Sequence, residues 1–295
     1  MAQHAGHHGP RPPSFLRCAG AIALTALAVT ALAGCSGATE PSELPAGVQV
    51  ELFQLRSDVA ERGAQVRVIN DSDADLVVTT LTFTDDWFAG EAVRDRVSTV
   101  PAGRTVDLRF ALPESACEDE PDAASRTSRV TLELEGGGSA AVDVADPLGF
   151  TTLIHEKECL RHDLARVATL EWTEFTPSAA PLPAELELSI TPAGEPEAAE
   201  LVEVQTTNLV QFADQPTPLA LALPVEGTDA ASAVSVPLIP LRCDPHAVME
   251  DKRGTVFNVL VEVDGASGVV EVAAPEAMRG EILRWVADWC GFGPG

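Results

Sequence analysis

The densest group of chemically capable side chains lies in the stretch LRCDPHAVMEDKRG, residues 241–254. Asp244, His246 and Glu250 could form a small polar binding site, in which the histidine would be the pH-sensitive member because its unperturbed pKa is about 6.5. The alternative is a structural turn, since Pro245 biases Asp244 towards an extended or turn conformation and an aspartate there can cap its own turn. We favour the turn and keep Asp244, His246 and Glu250 as the candidate binding residues.

A second stretch, HEKECLRHD at residues 155–163, contains residue types that bind zinc. A zinc-protease helix needs His-Glu-x-x-His, so that two imidazoles share one helix face, but Cys159 stands where the second histidine would be. His155, Cys159 and His162 could hold zinc only if the thiolate were free. Because the internal repeat described below assigns Cys159 to a disulfide, the sequence predicts no metal site and no cofactor.

The sequence also lacks a G-x-S-x-G nucleophile motif, a C-x-x-C pair and a phosphate-binding loop. We therefore predict that the protein is not an enzyme.

The first 34 residues have the pattern of a processed export signal. Arg11 and Arg17 give a positive start, and Ala19–Ala33 is an apolar run of the length of a signal-peptide core, short for a membrane span. The run ends in LAGC, residues 32–35. This arrangement resembles the signal and lipobox of bacterial lipoproteins, in which the cysteine thiol receives a diacylglycerol and the cysteine becomes the first residue of the mature chain.

The resemblance, to exported lipoproteins of GC-rich bacteria, implies that Cys35 anchors the protein in membrane lipid at the extracytoplasmic face of the cell membrane. Two acyl chains suffice for stable anchoring, and no second apolar stretch is long enough to span a bilayer. The expected function is a binding or structural role at the cell envelope, with an envelope protein as the expected partner. The alternative is a solute- or metal-binding lipoprotein that serves a membrane transporter.

The charge of the mature chain argues against one class of partner. The leader carries two arginines and no acidic residue, so its removal leaves 17 basic against 45 acidic side chains. A surface of this kind repels nucleic acid and anionic lipid head groups. We therefore expect no nucleic-acid partner.

Four cysteines remain for disulfides once Cys18 leaves with the leader and Cys35 is acylated, and an even number in an exported chain implies pairing. Three connectivities are open, and an internal repeat selects one. After Cys117, and again after Cys243, the sequence continues with a polar stretch, an alternating strand, a Gly-containing turn, a second strand and a Pro-headed helix that reaches a cysteine. The predicted bonds are Cys117–Cys159 and Cys243–Cys290.

Apolar residues at every second position predict short strands separated by polar turns, for example in residues 48–52, 106–112, 186–190 and 219–223. Such strands, with turns about every 8–12 residues, are typical of β-sandwiches. The predicted fold is mainly β, with two related β-sandwich (Ig-like) domains, each with a C-terminal helix tied by a disulfide. The last helix is the clearest, because an apolar face recurs at helical spacing after Pro275: Met278, Ile282, Trp285, Val286 and Trp289.

These observations predict a linear domain order. It consists of a signal peptide at 1–34, a lipidated tether at 35–46, a first sandwich at 47–175, a Pro-rich linker at 176–183 and a second sandwich at 184–295.

Within the first sandwich, the run DDWF at residues 85–88 places two aromatic side chains beside two acids near a strand end. We interpret these aromatic residues as core packing and not as a binding patch.

Overall fold

A computed structural model describes residues 42–118, 126–213 and 218–293. The leader and the predicted lipidation site, Cys35, lie outside these residues. Within the described part of the chain, two antiparallel β-sandwiches follow one another, which confirms the predicted mainly β fold. No helix among the described residues is both long enough and apolar enough to cross a membrane.

The first sandwich packs a three-stranded sheet, in the order β1-β2-β5, against a four-stranded sheet, in the order β4-β3-β6-β7. Alternating apolar side chains such as Val66, Val68, Leu81 and Phe83 fill the space between the sheets, as period-two patterning requires. The strands are β1 Val48–Phe53, β2 Gly63–Asn70, β3 Leu76–Asp85, β4 Ala92–Val100, β5 Arg104–Ala111, β6 Ser128–Leu134 and β7 Gly138–Asp143.

The second sandwich repeats this plan with one extra short strand, β11. Its sheets have the orders β11-β13-β9-β8 and β12-β10-β14-β15. The strands are β8 Ala168–Thr176, β9 Ala184–Pro192, β10 Ala198–Val204, β11 Val210–Phe212, β12 Leu219–Glu226, β13 Ser232–Pro240, β14 Val256–Val263 and β15 Ala266–Ala273. The helices of the chain are α1 Arg56–Val59, α2 Phe150–Val167, α3 Pro245–Met249 and α4 Glu276–Trp289.

The two sandwiches share one topology. When β11 is set aside, β8-β9-β13 corresponds to β1-β2-β5, and β12-β10-β14-β15 corresponds to β4-β3-β6-β7. Two sheets joined in this way are the architecture of immunoglobulin-like domains. Each sandwich is followed by a helix, α2 or α4, so the structure agrees with the element order that the sequence repeat predicted.

Each of these helices is joined by a disulfide to the segment after the fifth common strand. Cys117, after β5, bonds to Cys159 in α2 with a Cα–Cα distance of 5.0 Å. Cys243, after β13, bonds to Cys290 at the end of α4 with a Cα–Cα distance of 5.3 Å. Both predicted bonds are therefore present, and each ties a helix to the sandwich that precedes it.

The boundary between the sandwiches differs from the predicted one. The segment 168–176, assigned to the first domain from the sequence, forms β8 and pairs with β9 in the second sandwich. The predicted linker at 176–183 is thus the last residue of β8 and the hairpin loop that leads to β9, and not a linker between domains. Indole N–H groups of α4 hold this loop, because Trp285 donates to the Ser178 carbonyl at 3.0 Å and Trp289 to the Leu182 carbonyl at 3.3 Å.

The connection between the sandwiches is the helix α2. It continues for eight residues beyond Cys159, where the sequence pattern placed its end. Phe150 packs in the core of the first sandwich, whereas Leu160, Leu164 and Val167 pack in the core of the second. One continuous helix therefore contributes to both cores and connects the two sandwiches, and the connection is not the Pro-rich stretch that the sequence predicted.

The start of the first sandwich also differs from prediction. Ser42, assigned to the tether, donates its backbone N–H to the Ser139 carbonyl at 2.8 Å, and its carbonyl accepts from the Ala141 N–H at 3.0 Å. Leu44 packs against the first core. The predicted tether of residues 35–46 therefore already belongs to the sandwich from Ser42 onward.

Candidate functional site

The predicted binding residues of the loop at 241–254 are exposed and lie at both ends of the short helix α3, where Asp244 is the N-cap, His246 is in the first turn and Glu250 is the C-cap. The Asp244 carboxylate accepts the backbone N–H of His246 at 3.0 Å, which is the cap expected for a structural turn. The side chains of Asp244, His246 and Glu250 are all exposed to solvent. This geometry is that of a capped surface turn.

Replacement of His246 and Glu250 by alanine is accordingly expected to change the free energy of unfolding by no more than about 0.5 kcal/mol, because both side chains are exposed and Glu250 caps α3 through its backbone N–H, which alanine keeps. Urea denaturation measures this change. Val248→Ala is the matched control, since Val248 is buried on the same helix and its truncation is expected to cost about 1–3 kcal/mol. A loss above about 1 kcal/mol for the double variant would contradict the assignment of these residues to a solvated turn.

The same loop has a buried carboxylate that the sequence did not single out. Both oxygens of Asp251 accept the Gly254 N–H, at 2.9 and 2.8 Å, and Asn208 donates to Asp251 at 3.1 Å. A Cβ at position 254 would lie only 2.4 Å from the Leu209 Cβ, so the turn requires glycine there. This tight turn fixes the position of Arg253, whose side chain is exposed beside β15.

The helix α2 lies against β15 and forms one wall of a cleft. Its first turn is capped by Asp146, whose carboxylate accepts both the N–H and the hydroxyl of Thr151 at 2.8 Å. Gly268 on β15 permits the close approach, because a Cβ there would lie 2.7 Å from a Leu160 methyl carbon. The opposite wall is the β14–β15 hairpin, continued by β8.

The cleft consists of three adjoining hollows, of about 750, 260 and 540 Å³. The largest lies beside the Cys117–Cys159 bond, the smallest lies between α2 and Arg253, and the third lies between α2 and β8. Glu271 of β15 lines all three. Asp244, His246 and Glu250 line none of them, so the predicted binding residues are not part of this cleft.

Two ion pairs meet on Glu271. Its Oε1 atom lies 2.9 Å from Lys157 Nζ on α2 and 2.9 Å from Arg253 Nη2. Partial burial by itself would raise the pKa of Glu271, but the hydrogen bonds and charges of Lys157 and Arg253 outweigh it and hold the pKa below its ordinary value. The group is therefore ionised at neutral pH and links α2, the loop and the second sandwich.

Sequence reasoning missed this site because its members are far apart in the chain. Lys157 and Glu271 are separated by 114 residues, and only the packing of α2 on β15 brings them together. Two signals were visible in the sequence. Lys157 and Arg161 are four residues apart and so share a helix face, and Lys157 is one of only two lysines in the chain.

The zinc-like stretch at 155–163 has a structural role. Cys159 is in a disulfide and offers no thiolate. His155 is buried, its ring centroid lies 4.0 Å from that of Trp87, and its Nε2 lies 3.2 Å from the Ala116 carbonyl oxygen. No group of three or more His, Cys, Asp or Glu side chains in the described ranges is placed to hold a metal ion.

The two aromatic residues of the run DDWF, Trp87 and Phe88, are buried in the core of the first sandwich, as predicted from the sequence.

Comparison with known proteins gives no family for the chain. No protein-family model matches it, and no curated protein matches it. Among solved structures it is similar to a red sea bream transglutaminase (12% identity, 79% of this chain, 32% of the other, TM-score 0.23). It is also similar to the YadV chaperone (12% identity, 77% and 98%, TM-score 0.21) and to a chain of a chaperone–tip adhesin complex of CFA/I fimbriae (8% identity, 77% and 100%, TM-score 0.19). The chain spans about a third of the transglutaminase, and likeness at these TM-scores carries no functional argument.

Proposed function

We propose that this protein is a lipid-anchored binding protein at the extracytoplasmic face of the cell membrane, held there by acylation of Cys35. The observation that carries the proposal is the LAGC box at the end of the apolar run in the leader. Two disulfides support it, because such bonds form and persist in the oxidising compartments outside the cytosol. The proposed role is binding and not catalysis, with an envelope protein as the expected partner.

The proposed anchor would hold the first sandwich near the bilayer. Ser42, the first residue that the structure describes, pairs with that sandwich and stands seven residues after Cys35. A fully extended chain spans at most about 3.6 Å per residue, so Ser42 would lie no more than about 25 Å from the acylated cysteine. Such a short tether favours partners that are themselves in or close to the membrane.

Substitution Cys35→Ala is expected to move the mature protein from the membrane fraction to the soluble fraction, or to leave the precursor uncleaved, because the acylated thiol is lost. Immunoblots of membrane and soluble fractions measure the distribution. Cys18→Ala is the matched control, since Cys18 lies within the predicted leader, and it should leave the distribution unchanged. A Cys35→Ala protein that is cleaved normally and still fractionates with membranes would show that the anchor is assigned to the wrong residue.

A second function, solute binding in support of a membrane transporter, is favoured by one observation. The cleft between α2 and the second sandwich is lined by polar and charged side chains from both walls, including Lys157, Arg161 and Glu271. Polar groups converging on a concave surface are typical of small-molecule sites. The two functions are compatible, because a tethered protein that binds a solute is also a binding protein of the envelope.

A further inference from the structure

The smallest hollow of the cleft, about 260 Å³, combines an apolar floor with a charged rim. Val256, Val269, Val270 and Ala273 of the β14–β15 hairpin form the floor. The rim carries three cationic side chains and one carboxylate: Lys157, Arg161, Arg253 and Glu271. Its volume lies just below the range of roughly 300–1,000 Å³ that drug-sized ligands occupy, so it suits a small solute.

The rim has an excess of positive charge. Lys157 and Arg253 share a single oxygen of Glu271, and the Arg161 guanidinium forms no ion pair with any described residue. These four side chains have a net charge of +2, which one further anion of charge −1 or −2 would reduce or neutralise. Arginine side chains match carboxylate and phosphate groups by paired hydrogen bonds, and lysine adds a point charge.

This local excess of positive charge is unusual because the chain as a whole is acidic. The chain carries 45 acidic and 19 basic residues, so its general field repels anions. An anion would be attracted only where cations from different parts of the fold are brought together. Here they come from α2 and from the turn that Asp251 and Gly254 fix in place.

We propose that this hollow, the Lys157–Arg161–Arg253 pocket, binds a small solute through a carboxylate or phosphate group. The anion lies among the three cations, and the apolar floor receives the remainder of a small organic solute. Glu271 balances two of the cations and limits the affinity by repelling the ligand. The proposal rests on the binding role proposed above and not on the lipid anchor, so either can fail without the other.

The test is titration of the mature protein, in a neutral detergent, with inorganic phosphate and with succinate by isothermal calorimetry at low ionic strength. We expect saturable binding of at least one anion. Arg253→Gln should weaken it about five- to tenfold, because a charge-assisted hydrogen bond is lost at a partly exposed site. Glu271→Gln should strengthen it about threefold, because a like charge is removed while the shape is kept. These opposite signs distinguish a binding site from a purely structural ion-pair cluster.

Arg129→Gln is the control. Arg129 is similarly exposed and similarly paired, with Asp143 at 2.8 Å, but lies in the first sandwich, and its substitution should leave the anion affinity unchanged. The proposal is wrong if neither anion binds saturably up to about 10 mM, or if Arg253→Gln and Glu271→Gln shift the affinity in the same direction. It is also wrong if Arg253-dependent binding is found only with vesicles of phosphatidylglycerol, since the ligand would then be a lipid head group and not a free solute.

Discussion

Replacement of Asp85 by alanine is expected to lower the free energy of unfolding by about 3–5 kcal/mol, because it leaves a largely buried arginine without its counter-ion. The Asp85 side chain is fully buried, and that of Arg126 is 16% exposed. Arg126 donates to both carboxylate oxygens, at 3.0 and 2.7 Å. The backbone N–H of Trp87 and the Ser128 hydroxyl donate to the same carboxylate at 2.9 and 2.6 Å, and these donors would also lose their acceptor.

Urea denaturation of Asp85→Ala measures this loss. The informative control is the double variant Asp85→Ala with Arg126→Met, which should be less destabilised than Asp85→Ala alone, because replacing both members of a buried pair by apolar groups removes the uncompensated charge. Arg126 also donates to Thr152 in the first turn of α2 at 3.1 Å, so part of the cost will remain. A single variant that loses less than about 1 kcal/mol would show that the pair contributes little to stability.

Replacement of Trp172 by alanine is expected to cost about 3–5 kcal/mol, as for other large-to-small changes of buried aromatic residues. Trp172 lies on β8 and is 2% exposed. Its ring centroid lies 4.8 Å from that of Phe257, and its indole N–H donates to the Val272 carbonyl at 3.0 Å. The residue therefore joins β8 to the β14–β15 hairpin of the second sandwich.

Hydrogen exchange locates this effect as well as measuring it. In Trp172→Ala, amides of β14 and β15 should exchange faster, because the side chain that covers them is gone. Trp172→Phe should retain most of the packing and lose about 1 kcal/mol, since the hydrogen bond from the indole N–H to the Val272 carbonyl is lost. If exchange in β14 and β15 does not change in Trp172→Ala, then β8 is not part of the second core. That result would support the boundary predicted from the sequence, which ends the first domain at residue 175.

The sequence predicted the sandwiches and their disulfides because the relevant signals are local. Period-two alternation marks each strand, and the shared order of strand, turn, strand and helix before Cys159 and Cys290 selects the cysteine pairing. The Pro-rich stretch 176–183 was misinterpreted for the same reason. Its composition is that of a linker, and nothing local shows that Trp285 and Trp289, more than a hundred residues later, hold it as a loop.

The extent of α2 and the cleft depend on packing between distant segments. Leu160, Leu164 and Val167 continue a helical face, but whether that face meets the first core or the second is decided by the tertiary fold. In the loop at 241–254, the structural turn that we favoured from the sequence agrees with the geometry, but the residue of this loop that reaches the cleft was not singled out. Its conspicuous members, Asp244 and His246, form a capped turn, whereas Arg253 reaches the cleft because a buried aspartate fixes the chain beside it.

Mass spectrometry of the N-terminal peptide, prepared from membranes of the native host, decides whether the protein is lipid-anchored. We expect a mature chain that begins at Cys35 and carries a diacylglycerol on its thiol, with no peptide from residues 1–34 attached. An N-terminal peptide in which Cys35 is internal, or is terminal but unmodified, would contradict the lipid anchor and with it the proposed place of this protein at the cell membrane.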